Sequence, residues 1–204
     1  MKKVVILASG SGTLARAIFA ANKDYEIAAL ICDRPQAKVI EIANEFGIKV
    51  EIVELIGDRA NWDLALLSLA TKYQPDLIVC AGFMRILTPE FIRHYAGKLI
   101  NIHPSLLPSF PGLHTHERAL EAGVETHGAS VHFVSEGVDE GPIICQATVP
   151  VLPGDSAAQL ASRVLQMEHL IYPRAVKWFL DGRLRIEGNQ VKVQPPESQL
   201  FTHE

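Results

Sequence analysis

The regular alternation of apolar runs with helical segments in the first hundred residues constrains the fold most strongly. Residues 4–8 form a continuous apolar run, which is typical of a strand buried on both faces. Similar runs predict strands over residues 25–32, 48–53 and 77–81. The intervening segments predict helices over 14–21, 36–46 and 61–73, the last with Trp62, Ala65, Leu66 and Leu69 on one stripe. Strands that alternate with helices favour a doubly wound, mainly parallel α/β sheet.

The pattern changes after Gly112. Residues 114–123 predict a short helix, and residues 129–134 and 143–151 predict two strands that form an antiparallel extension of the sheet. A long helix is predicted from Asp155 to about Leu180, and Pro173 is expected to kink it or to end its first part. The remaining residues predict a short hairpin followed by a polar tail over 189–204.

Length and composition limit the classes of protein to which the chain can belong. The chain has 204 residues without repeats or linkers, which predicts a single domain over residues 1–204. A net charge of −4 argues against nucleic acid as a main partner, because phosphate binding favours a basic face. The three cysteines lack the spacing of a zinc site or a disulfide framework, so a cytoplasmic location is expected. No apolar run has the length of a membrane span or the pattern of a signal peptide, so no membrane partner is expected.

A glycine-containing turn follows the first predicted strand. Residues 9–13 read Ser-Gly-Ser-Gly-Thr and precede a helix. A strand, a glycine loop and a helix N-terminus place backbone N–H groups around an anion, usually a phosphate. The turn lacks the third glycine of the dinucleotide fingerprint, so an ordinary tight turn is an equal alternative. Asp33, after the second predicted strand, has two interpretations, a ribose ligand or a turn residue, and the second is simpler.

A side-chain amide and an imidazole, Asn101 and His103, stand two residues apart after the apolar pair Leu99-Ile100. Residues two apart on a strand project to the same face. Three prolines within residues 104–111 stiffen the chain that follows. An uncharged N–H donor beside a group that exchanges protons near neutral pH suits acyl transfer through a tetrahedral intermediate. The alternative is an Asn that caps a turn and an ordinary histidine.

The loop over residues 135–142 places two acids between glycines. Asp139 is the candidate to pair with an imidazole, because it shortly precedes a strand and can point back across the sheet edge. A solvated acidic hairpin is the alternative. The eight histidines also raise the hypothesis of a metal site, but His103, His114, His116 and His132 fit no established zinc spacing, so no metal is expected.

These motifs resemble those of the folate-dependent phosphoribosylglycinamide formyltransferases of purine synthesis. The resemblance covers nearly the whole chain and is carried by residues 81–87, 101–116, 127–134, 139–142 and 166–173. The motif Asn-x-His-Pro-Ser-Leu-Leu-Pro is specific for 10-formyltetrahydrofolate hydrolases and transferases as a group. The resemblance implies a Rossmann-like formyltransferase fold, with a phosphate-binding half over residues 1–100 and a catalytic and folate-binding half over 101–188.

The resemblance also implies roles for individual residues. Asn101, His103 and Asp139 match the family's catalytic trio. The residues implied in binding are Gly12, Thr13, Leu14 and Glu168 for the ribonucleotide, and Arg59, Met84, Arg85, Ile86, Leu87 and Asn101 for the folate. The co-substrate would be 10-formyltetrahydrofolate, without a metal. The partners would be small molecules, bound by a monomer or a homodimer, and the reaction would be direct formyl transfer to the amine of 5′-phosphoribosylglycinamide.

Two departures from the family pattern concern binding. Leu14 stands where Asn is frequent, which would remove a side-chain contact and keep the backbone contacts. Glu140 stands where a small residue is usual, which would change the flexibility of the folate loop. The alternatives are another 10-formyltetrahydrofolate enzyme, such as a deformylase, a sugar-amine formyltransferase or a methionyl-tRNA formyltransferase, and a non-catalytic nucleotide-binding module.

Overall fold

Two compact units, Met1–Ile100 and the residues from Asn101 onward, make up the protein. A computed structural model describes residues 1–203. The boundary between the units falls within one strand, Leu99–His103.

The first unit is a parallel sheet with helices in its connections. Its strands are β1 (Lys3–Ala8), β2 (Glu26–Cys32), β3 (Val50–Ile52) and β4 (Leu77–Cys80), and its helices are α1 (Thr13–Ala21), α2 (Val39–Glu45), α3 (Arg59–Lys72) and α4 (Pro89–His94). The strands lie in the order β3-β2-β1-β4, and each pair is parallel. β1 and β4 are buried throughout or almost throughout, as their continuous apolar runs indicated. The predicted mainly parallel sheet is confirmed.

Three local expectations for this unit were wrong. α2 begins at Val39 rather than at residue 36, because the backbone turns at Arg34, whose carbonyl accepts from the Ala37 N–H at 3.1 Å. α3 begins at Arg59, because Asp58 caps it by accepting from the Asn61 N–H at 3.3 Å. The buried stripe of α3 consists of Trp62, Leu66 and Ala70, whereas Ala65 is exposed and Leu69 is only half-buried.

The second unit is a mixed sheet covered by one long helix. Its elements are β5 (Leu99–His103, whose first two residues lie in the first unit), α5 (Thr115–Glu121), β6 (Thr126–Phe133), β7 (Ile143–Pro150), α6 (Ala157–Leu180), β8 (Leu184–Glu187), β9 (Gln190–Val193) and β10 (Leu200–Thr202). β6 pairs with β7 in the antiparallel sense, and β8 pairs with β9 in the same sense. α6 packs against β6 and β7. The predicted antiparallel extension and hairpin are confirmed.

α6 continues through Pro173, so the expectation that the proline ends the first part of this helix was wrong. Tyr172 and Val176, on either side of the proline, are fully buried and hold the helix in place. The predicted polar tail contains β10, which pairs with β7 in the parallel sense. The tail is also anchored by Glu197, which accepts from the Trp178 indole at 3.2 Å and pairs with Arg183 at 2.9 Å. Within residues 1–203, no helix combines the length and the apolar character needed to cross a membrane.

Candidate active site

His103, at the end of β5, has an oxygen atom opposite each of its ring nitrogens. Its Nδ1 lies 3.3 Å from a carboxylate oxygen of Asp139, and its Nε2 lies 2.9 Å from the carbonyl oxygen of Phe110. Both oxygens only accept hydrogen bonds when the carboxylate is ionised. An imidazolium, which has a proton on each nitrogen, is the only form that satisfies both contacts. The arrangement therefore favours a protonated His103.

Asp139 is held in the loop between β6 and β7. Its backbone has a positive φ of 55°, and its Oδ2 accepts from the Gly112 N–H at 3.0 Å. A Cβ on the nearby Gly141 would lie 1.7 Å from the Phe133 carbonyl oxygen, so this loop path requires a glycine there. The loop thus directs the carboxylate towards His103, which is the arrangement of the first of the two alternatives considered for Asp139.

Asn101 and Asp139 also share a neighbour, His132 on β6. The His132 Nε2 lies 3.4 Å from the Asn101 Nδ2 and 3.7 Å from the Asp139 Oδ1. Its Nδ1 lies 2.9 Å from the Phe133 carbonyl oxygen. Burial lowers the pKa of His132, and the Phe133 carbonyl and the Asp139 charge oppose that effect. The sequence suggested His132 only as a metal ligand, so this contact was missed.

A second missed residue, Ser130, fixes the proline-rich segment after His103. Its hydroxyl donates to the Ser105 carbonyl at 2.7 Å and accepts from the Leu107 N–H at 3.0 Å. Gln146 on β7 adds a hydrogen bond to the same hydroxyl at 2.8 Å. Ser130 and His132 stand two residues apart on β6, so the alternation of that strand was the available signal.

Two further histidines of this unit form a separate contact. His116 packs edge-on against His127, with ring centroids 5.3 Å apart. Burial lowers the pKa of His127 to about 4, so this ring is neutral at neutral pH. Among residues 1–203, no group of three His, Cys, Asp or Glu side chains is arranged to hold a metal ion.

In the first unit, the glycine turn opens α1. Gly12 is the N-cap residue with a φ of 77°, and a Cβ there would lie 2.7 Å from the Cα of Val39. Glycine is therefore required both by the backbone conformation and by the close approach of α2. No side chain caps α1, so the first-turn N–H groups of Thr13 and Leu14 have no side-chain acceptor at the cap.

The segment over residues 83–87 follows β4 and is held from two sides. The Met84 N–H donates to the Ser9 hydroxyl at 2.9 Å, and the Arg59 guanidinium donates to the Ile86 carbonyl. Met84 and Ile86 are 65% and 78% exposed, so the fixed segment presents apolar side chains to solvent.

Arg59 and Arg85 differ in how they are held. The Arg59 guanidinium lies 4.7 Å from the ring centre of Trp62 and pairs with Asp63 at 2.9 Å. Arg85 donates through Nε to the buried Asp33 at 2.7 Å. Asp33 is thus the partner of a cation, a contact that neither interpretation of this residue included.

Glu168 lies on the buried face of α6 in the second unit. Its side chain is buried, and burial raises its pKa to about 7. Such a carboxyl group exchanges between its neutral and ionised forms near neutral pH.

The chain is similar in sequence and in fold to known proteins. Residues 2–176 match the family model described as formyl transferase. Phosphoribosylglycinamide formyltransferase from Escherichia coli (strain K12) is 47% identical over 192 residues, which cover 91% of each chain. The crystal structure of glycinamide ribonucleotide transformylase 1 from Symbiobacterium toebii has a TM-score of 0.91 at 42% identity, covering 95% of this chain and 94% of that one.

A structure with a different activity is also similar. Formyltetrahydrofolate deformylase from Pseudomonas syringae pv. tomato str. DC3000 has a TM-score of 0.89 at 29% identity, covering 94% of this chain but 65% of that one. The mainly parallel α/β sheet with antiparallel strands towards the carboxyl end is the fold of the glycinamide ribonucleotide transformylases. The chain belongs to the formyl transferase family.

Proposed function

We propose that this protein transfers the formyl group of 10-formyltetrahydrofolate to the amine of 5′-phosphoribosylglycinamide. The products are 5′-phosphoribosyl-N-formylglycinamide and tetrahydrofolate, in de novo purine synthesis. Full-length relatives with this name support the reaction. The observation that carries the proposal is the position of His103, whose two ring nitrogens face oxygen atoms of Asp139 and Phe110.

The first step is attack of the glycinamide amine on the formyl carbon. A carbon–nitrogen bond forms, and the formyl oxygen takes up negative charge. The Asn101 amide and the His103 imidazolium donate hydrogen bonds to that oxygen. To do so, the His103 Nε2 gives up its contact with the Phe110 carbonyl oxygen and donates to the formyl oxygen instead. Its Nδ1 keeps its contact with Asp139.

Asp139 holds the imidazolium in place during this step. Its carboxylate is largely buried, so its charge acts on His103 with little screening by water. It also accepts from the Gly112 N–H, which fixes its orientation. A catalytic group that is free to move lowers the reaction rate, and the fixed pair of Asp139 and His103 avoids that loss.

Collapse of the intermediate completes the reaction. The bond between the formyl carbon and the folate nitrogen breaks, and its electron pair stays on that nitrogen. The attacking amine loses a proton, and the folate nitrogen gains one, through His103 or a water molecule. The trio, the two substrates and, where it carries the proton, one water molecule account for every bond and proton in this scheme.

Substrate binding uses other parts of the chain. The first-turn N–H groups of α1, at Gly12, Thr13 and Leu14, bind the ribonucleotide phosphate. Glu168 contacts the same substrate. The folate packs on the fixed segment from Met84 to Leu87, and Arg59 pairs with its carboxylate.

The nearest rival is hydrolysis of 10-formyltetrahydrofolate, in which water replaces the amine. The similarity to a deformylase supports the rival, because one catalytic trio would serve both reactions. The relative named as a transferase has a higher sequence identity to this chain than the deformylase has, and its alignment covers nearly all of both chains. Both observations favour the transferase. A net charge of −4 speaks against a tRNA substrate. The protein is expected to act in the cytoplasm, as a monomer or a homodimer, without a nucleic-acid or membrane partner.

An absorbance assay with 10-formyl-5,8-dideazafolate tests the proposal. The deformylated folate product is followed with and without glycinamide ribonucleotide. Product that depends on the ribonucleotide is expected for the transferase. Product that forms equally well without it would contradict the transferase and support the hydrolase. No product under either condition would support a non-catalytic nucleotide-binding module.

A further inference from the structure

We infer that His132 is a positioning residue that orients the side-chain amide of Asn101. Its Nε2 accepts a hydrogen bond from the Asn101 N–H and so determines which end of the amide faces the reacting carbonyl. The inference rests on the proposed function, because it assigns Asn101 to the formyl oxygen. It adds a residue that does not itself touch the substrate.

The hydrogen-bond partner of Nδ1 fixes the tautomer of His132. Nδ1 lies 2.9 Å from the carbonyl oxygen of Phe133, which only accepts hydrogen bonds. Nδ1 therefore carries a proton. A neutral ring has one N–H, so its Nε2 presents a lone pair. The 2% exposure of His132 keeps water from competing for that lone pair.

The lone pair in turn selects the orientation of Asn101. The Asn101 amide nitrogen lies 3.4 Å from the His132 Nε2. The opposite orientation would bring the amide oxygen against the lone pair, where two acceptors repel each other. One amide N–H is used by His132, and the second is left to donate to the formyl oxygen. An amide free to rotate would present its oxygen, instead of its N–H, to the developing negative charge.

Two other ionisable groups face His132, and both bear on this arrangement. The Asp139 Oδ1 lies 3.7 Å from Nε2, and the charge of His103 acts on the ring from the same site. A protonated His132 would donate from Nε2 to Asp139 and would compete with His103 for that carboxylate. Burial lowers the pKa of His132, which supports the neutral ring.

A pair of substitutions separates this role from a packing role. His132→Leu fills the site but offers no acceptor, whereas His132→Gln places an amide oxygen where Nε2 lies. We expect His132→Leu to lower kcat by roughly 10- to 100-fold, with both KM values within about threefold, because it weakens one oxyanion donor. His132→Gln should restore kcat to within about fivefold of the wild type.

The decisive experiment is the His132→Leu substitution in a protein that also carries Asn101→Ala. With no amide to orient, His132→Leu should change kcat by less than about twofold there, because the two effects share one hydrogen bond. An equal loss of kcat in both backgrounds would overturn the inference. So would wild-type kcat in His132→Leu, or an equal loss of kcat in the Leu and Gln variants.

Two further measurements keep the inference testable if a variant folds poorly. Val149→Ala, on the neighbouring strand β7, is a matched control for lost core packing and should leave kcat within about twofold. A loss of kcat in this control as large as in His132→Leu would contradict the inference. ¹⁵N NMR of the wild-type protein should show His132 protonated on Nδ1 alone, and a proton on Nε2 at neutral pH would contradict it. The wild-type activity assay tests the proposed function separately.

Discussion

The side-chain cluster formed by Asn101, His103, His132 and Asp139, which we propose as the active site, and the glycine turn that opens α1 hold their groups in opposite ways. In the cluster, side-chain atoms pair with one another or with backbone atoms at 2.9–3.7 Å. In the glycine turn, no side chain caps α1, and the groups available to a ligand are backbone N–H groups. The turn is fixed through Gly12, which packs closely against Val39.

This difference separates two kinds of sensitivity. The function of the cluster is expected to depend on the identity of each side chain, because each one fixes the orientation or the protonation state of a neighbouring side chain. The turn depends on the path of the backbone, so a side chain that leaves the path unchanged should matter little. Substitutions in the cluster are therefore expected to lower kcat, and substitutions of the turn's side chains to change KM for the ribonucleotide modestly.

The largest effect is expected from Asp139→Asn. The amide keeps the shape of the side chain but has no charge to stabilise the His103 imidazolium. We expect kcat to fall by roughly 10²- to 10⁴-fold, with both KM values little changed. Steady-state kinetics measure this, with Glu136→Gln in the same loop as the control. Near-normal turnover of Asp139→Asn would contradict the role of the cluster.

An intermediate effect is expected from Glu168→Gln on the pH dependence of stability. Burial raises the pKa of Glu168 from 4.5 to about 7. Between these values the unfolded chain releases a proton that the folded protein keeps, so the free energy of unfolding falls as pH rises and stays lower above pH 7. Gln is neutral at every pH and should remove this fall, which is on the order of 1–3 kcal/mol.

Urea denaturation at pH 5 and pH 8 measures this effect. The wild type should lose more stability than Glu168→Gln between the two pH values. Glu121→Gln on α5, an exposed position, is the control and should follow the wild type. Parallel behaviour of the wild type and Glu168→Gln would show that burial of this carboxyl group does not influence stability.

The smallest effect is expected from Leu14→Asn in the glycine turn. The backbone N–H groups are unchanged, and the new side chain can add one hydrogen bond to the ribonucleotide. One such bond contributes about 1 kcal/mol, so KM for the ribonucleotide should fall about fivefold at constant kcat. Leu14→Ala, the matched control, should leave KM within about twofold. A large loss of kcat in either variant would mean that the turn takes part in the chemistry.

The sequence predicted those parts of the fold that depend on local pattern. β1 and β4 are buried strands, and their residues form continuous apolar runs. β10 has three residues, and it exists because it pairs with β7 more than fifty residues earlier, which no local pattern indicates. Pro173 was expected to kink α6 or to end its first part, and the second outcome did not occur, because buried side chains on both sides of the proline hold one continuous helix.

The same limit applies to the site. Asn101, His103 and Asp139 could be proposed because a motif and an acidic loop mark them. His132 contacts Asn101 across a separation of 31 residues, and Arg85 contacts Asp33 across 52. Such contacts depend on strand register and on burial, which the sequence does not specify at the level of single side chains. The contact between His132 and Asn101 therefore became visible only with the structure.

Following the fate of the formyl carbon tests the central claim most directly. A donor labelled with ¹³C in its formyl group is incubated with the ribonucleotide and the wild-type protein, and NMR quantifies the label in the product amide and in formate. We predict that the label enters the amide of the ribonucleotide, that formate stays at the level without enzyme, and that Asp139→Asn slows the transfer. Label released mainly as formate, or transfer at the wild-type rate by Asp139→Asn, would contradict the account.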